Sequence, residues 1–93
     1  IRKVVRQHRR ELARCYETHL AKDPTLEGEA TVEFTISPSG DVVETTIASS
    51  TLENRAVETC VQNELDRWTF PEPQRNATVK VEYPFHFRDD ADN

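Results

Sequence analysis

"TVKVEYPFHF", residues 78–87, decides the fold. Val79, Val81, Tyr83, Phe85 and Phe87 alternate with Thr78, Lys80, Glu82, Pro84 and His86. This is the period-2 pattern of a strand with one dry and one wet face. Pro84 interrupts it, because proline has no N–H to give to a neighbouring strand. In a sheet, proline belongs at an edge with its donorless nitrogen turned outward. The stretch therefore predicts an edge strand, in which Pro84, Thr78, Lys80, Glu82 and His86 direct their backbone groups away from the sheet. Val79, Val81, Tyr83 and Phe85 then bond to the neighbouring strand.

Working outward, "GEATVEFTI" alternates Ala30, Val32, Phe34 and Ile36 with Glu29, Thr31, Glu33 and Thr35, a second half-buried strand. "SPSGD" follows as a turn, and "VVETTIAS" is a third strand-like run with Val43, Thr45 and Ile47 as its inner set. Two alternating runs joined by a short Gly-containing turn predict an antiparallel hairpin. Residues 1 to about 22 repeat one stripe at helical spacing (Ile1, Val4, Val5, His8, Leu12, Cys15, Tyr16, His19, Leu20) up to Pro24, which ends the helix. Ser50-x-x-Glu53 fits a capping box for a second helix with Leu52, Ala56, Val57, Cys60, Val61, Leu65 and Trp68 on one stripe. Pro71 and Pro73 stop it.

The order is helix, strand, strand, helix, strand. An α+β two-layer sandwich buries all five apolar faces, with both helices on one face of a three-stranded sheet. The second helix joins the second strand to the last. If those two run parallel, it is a crossover that carries the last strand to the far side of the first. The spatial order is then 2-1-3, and the proline lies on an edge.

The chain has 93 residues, enough for one domain with a single core. The domain is expected over 1–88, with 89–93, ending in "DDADN", a solvated acidic tail. It has no run long enough to span a membrane and no export-signal pattern. Opening inside a helical pattern, it is expected to be a segment of a longer protein. A net charge of −5 argues against nucleic acid as a partner, although six of the twelve Lys and Arg residues fall within the first fourteen positions. That basic face reads first as the wet side of the helix.

Catalysis is not expected. His8, His19 and His86 join no recognisable nucleophile motif, and two glycines cannot form a phosphate-cradling loop. Trp68 and Phe70 are expected to close the core rather than stack on bases. Cys15 and Cys60 lie on the buried stripes of two helices that cover one sheet face, which leaves three readings. They form a disulfide, they pack as free thiols, or Cys15 and His19 contribute to a metal site.

The segment "GEATVEFTISPSGDVVETTIASSTLENRAVETCVQNELDRWTFPEP", followed by the alternating strand, resembles the TonB C-terminal domain. "CYE" at 15–17, "TCV" at 59–61 and "YPFHF" at 83–87 bring it closer to the AgmX/PglI C-terminal domain of myxobacterial gliding-motility proteins. The resemblance implies a periplasmic domain of an inner-membrane-anchored protein, driven by a proton-powered motor through a missing N-terminal part. It implies a binding module without cofactor, nucleic acid or small-molecule substrate. Such a module captures an extended peptide of an outer-membrane or periplasmic protein by strand addition and passes on force, in transport or gliding motility. Partner contacts then fall on Thr78, Lys80, Glu82, Pro84 and His86. A periplasmic setting also favours the Cys15–Cys60 disulfide. The alternative is a scaffold domain of a gliding-motility or secretion complex that captures no peptide. The cysteine pair and the Tyr-Pro-Phe sequence depart from TonB itself.

Overall fold

A computed structural model of the chain describes residues 1–88; the expected acidic tail at 89–93 lies outside the described residues. Three α-helices and three strands follow in the order α1 (Arg2–Gln7), α2 (Arg9–Leu20), β1 (Gly28–Ile36), β2 (Val42–Ser50), α3 (Arg55–Leu65) and β3 (Val79–Phe87). A single 3-10 turn, Gln74–Asn76, leads into β3.

The sheet order is β2-β1-β3, and β1 is antiparallel to both neighbours. β2 and β3 therefore run parallel, and α3 is the crossover between them. As the proline requires, β3 is an edge strand. Ala30, Val32, Phe34 and Ile36 of β1 are all buried, with Phe85 and Phe87 of β3 beside them on the inner face. Phe34, Val57, Val61, Leu65 and Trp68 form the centre of the core. Tyr16 of α2 meets Phe87 at 5.7 Å between rings, and Gln62 of α3 donates to the Thr45 carbonyl of β2. Both helices thus cover one sheet face.

The structure corrects five local expectations. The first helix is broken rather than continuous: His8 leaves helical geometry (φ −106°, ψ 16°) and lays its ring flat on Trp68, centroids 4.6 Å apart. Ile1 at its start is exposed. In β2, Val43 points outward and is 55% exposed, while Val42 takes the inner place. Ile36 pairs with Val42 but Thr35 with Glu44, so Val43 is the extra residue of a bulge and the alternation shifts phase there. The cap of α3 is Asn54, whose Oδ1 accepts from Val57 N at 3.1 Å. Ser50 is instead the last residue of β2, opposite Ala30, and Glu53 adopts φ 53°, so no capping box forms. With α3 beginning at Arg55, Ala56 falls on its exposed side.

Cys15 and Cys60 are joined by a disulfide with 5.7 Å between their Cα atoms, tying α2 to α3. His19, considered above as a metal ligand, hydrogen-bonds through Nδ1 to the Cys15 carbonyl, and the Cys15 sulfur is committed to Cys60. Trp68 and Phe70 belong to the core, 2% and 4% exposed.

Candidate functional site

The free side of β3 can be assigned strand by strand. Thr51 N donates to the Glu29 carbonyl at 2.8 Å, and Ser37 N donates to the Asp41 carbonyl. The odd-numbered residues of β1 therefore direct their backbone groups toward β2, and the even-numbered ones toward β3. Across the β1–β3 register, Val32 lies opposite Tyr83, and Ala30 opposite Phe85. Those pairs carry the hydrogen bonds. Thr31 lies opposite Pro84, Glu33 opposite Glu82, and Thr35 opposite Lys80. These pairs carry none, so Lys80, Glu82, Pro84 and His86 turn their backbone groups outward. Thr78 is exposed and immediately precedes the first residue of β3.

The side chains of these residues stand on the open sheet face. Lys80 Nζ lies 3.3 Å from Glu33 Oε1, and His86 Nδ1 lies 3.1 Å from Glu29 Oε2. Exposed pairs of this kind contribute at most about 1 kcal/mol. Glu82 faces Glu33 across the register, a like-charge opposition that does nothing to strengthen the edge. Charges and a proline on an edge also discourage indiscriminate pairing.

The inner side of the same edge was not foreseen from sequence. Val79, Val81 and Tyr83 are only half-buried, whereas Phe85 and Phe87 are buried. A groove of about 350 Å³ runs between β3 and the two N-terminal helices. Tyr83, Phe85 and Phe87 form one wall, Val5, Leu12 and Leu20 part of the other. Arg6 and Arg9 line it at the α1–α2 junction.

The family model for the C-terminal domain of the Gram-negative bacterial TonB protein matches residues 19–88. The chain belongs to the TonB C-terminal family. Two solution structures share the fold of this TonB-family domain. The TonB C-terminal domain of Pseudomonas aeruginosa superimposes with a TM-score of 0.60 at 20% identity, over 77% of this chain and 75% of that one. That of Helicobacter pylori gives 0.54 at 22% identity, over 83% and 88%. In sequence, the TonB-family domain is 33% identical over 88 residues to Tyrosine-protein kinase MasK of Myxococcus xanthus, a myxobacterial relative as the "CYE", "TCV" and "YPFHF" signals suggested. The match covers 95% of this chain but 13% of MasK, so the kinase named there is a far longer protein. Among the described residues, no helix is long and apolar enough to cross a membrane.

Proposed function

We propose that this TonB-family domain is a non-catalytic, periplasmic binding module of an inner-membrane-anchored, force- or energy-transducing protein. It captures an extended segment of an outer-membrane or periplasmic protein by adding that segment to β3. The observation that carries this reading is the edge itself. Lys80, Glu82 and His86 turn unpaired backbone groups outward along a strand whose inner face is left half-covered at Val79, Val81 and Tyr83. An added strand satisfies those groups and continues the apolar face, which gives both affinity and a side-chain preference. Family membership supports a protein partner, and the disulfide accords with an oxidising compartment. Whether transport or motility is served depends on the protein that carries the domain.

The test is calorimetry with nine-residue peptides of alternating apolar and polar residues, matched to the length of β3. Glu82→Pro removes an amide that β1 does not use, so the domain keeps its fold while the outward ladder is broken. Binding is expected to be lost. Affinity unchanged in Glu82→Pro defeats strand addition. It favours instead a scaffold role that leaves the edge unused.

A further inference from the structure

The groove beside β3 shows what kind of segment the edge accepts, and this rests on the strand-addition reading. A strand laid along β3 places every second side chain toward the helices, over Val79, Val81 and Tyr83 and then over the groove. Val5, Leu12 and Leu20 face Tyr83, Phe85 and Phe87 there, so the inward positions of the added strand that meet them are apolar too. Charge enters at the two ends: Glu17 and Arg88 lie at the Phe87 end, and the other end is purely basic. Arg6 and Arg9 reach into the groove from the α1–α2 junction, both exposed, and neither has an acidic partner among the described residues. The rest of the basic N-terminal face, Arg2, Lys3, Arg10 and Arg14, is likewise exposed and has no ion pair among the described residues.

The groove's one acid, Glu17, stands eight residues beyond Arg9 on α2, roughly 12 Å along the axis. Ring contacts fix which end is which. Tyr16, next to Glu17, meets Phe87, while His8 stacks on Trp68, which in turn meets Phe85. The acid therefore lies at the Phe87 end of β3, and the two arginines lie upstream of it, toward Tyr83 and Phe85. A carboxylate entering there meets two guanidiniums without acidic partners among the described residues, and each can give it charge-assisted, bidentate hydrogen bonds. We propose that the partner is an extended acidic segment: apolar at alternate positions, with an Asp or Glu at the inward position that faces Arg6 and Arg9.

Three nine-residue peptides test this, each alternating serine with valine and carrying Glu, Gln or Lys at the central inward position. The 93-residue chain is expected to bind the Glu peptide roughly tenfold more tightly than the Lys peptide, with Gln between them, a preference that weakens as salt rises. The double variant Arg6→Glu/Arg9→Glu alters only exposed side chains, and its preference should invert toward Lys. Circular dichroism confirms that the variant is folded. Equal affinities for the three peptides, with binding still lost in Glu82→Pro, overturn the inference and leave strand addition standing. An acidic preference that survives Glu82→Pro overturns strand addition instead. If the double variant loses binding to phosphatidylglycerol vesicles while its three peptide affinities stay unchanged, the arginines serve a lipid surface and the inference fails.

Discussion

Phe70 donates its backbone N–H to the Gly40 carbonyl at 2.8 Å, and its own carbonyl oxygen lies 2.1 Å from where a Cβ on Gly40 would stand. The turn of the β1–β2 hairpin is thereby locked to the chain leaving α3, with Asp41 and Thr69 forming a bridge alongside. Phe70 in turn stacks on Phe34, 5.7 Å between rings. Gly40 also holds φ 92°, outside the range that L side chains favour. Gly40→Ala is expected to destabilise the fold by at least about 2 kcal/mol. Left-handed backbone strain alone costs on the order of 1–3 kcal/mol, and the overlap is with backbone rather than with a side chain able to swing aside. Urea unfolding monitored by Trp68 fluorescence measures it. A midpoint equal to wild type would show that the turn and the 68–70 segment separate freely.

The disulfide spans 45 residues of sequence and joins α2 to α3 across the inner layer. In the chain-entropy model, opening a loop of that length removes about 4 kcal/mol, a large share of a small domain's stability. The double variant Cys15→Ala/Cys60→Ala, or wild type under strong reductant, is expected to unfold at markedly lower urea. The two should agree to within about 1 kcal/mol, because the cross-link is the main thing each removes. A midpoint unmoved by reductant would mean that the two sulfurs act only as buried packing groups.

How much of this was legible in the sequence follows from the range of each contact. The alternation in β1 and β3, one proline and a helix placed to cross over between the last two strands set strand order and edge, because a strand with one buried face reports its own environment. The Cys15–Cys60 disulfide was legible too, because two cysteines on the buried stripes of helices that cover one sheet face are within reach of each other. Val43 misled because a bulge belongs to the pairing of two strands: the extra residue opposite Thr35 and Ile36 leaves no mark in the run "VVETTIAS". Ser50 and Asn54 are both good caps. β2 claims Ser50 by continuing to pair with β1, which leaves Asn54 to start α3. The break at His8 has no Gly or Pro to announce it and coincides with a ring contact made sixty residues downstream, at Trp68. The groove was illegible for the same reason. Arg6 and Arg9 read as a wet helical face until β3, from the other end of the chain, is laid beside them.

The two halves of β3 backbone groups should separate cleanly in amide hydrogen exchange. Val81, Tyr83 and Phe85 lie opposite Phe34, Val32 and Ala30, which direct their own groups toward β3. Their amides are expected to be protected nearly to the level of global unfolding. Lys80, Glu82 and His86 turn theirs to solvent and should exchange close to the rate of an open chain, despite belonging to the same regular strand. Saturating the domain with a peptide that adds to the edge should slow those three and leave the protected set unchanged. Binding on the helical face alone would leave all three fast. Protection of Glu82 in the free monomer, or exchange that is uniform along residues 79–87, would mean that the outward row is already occupied and that β3 has no free side to offer a partner.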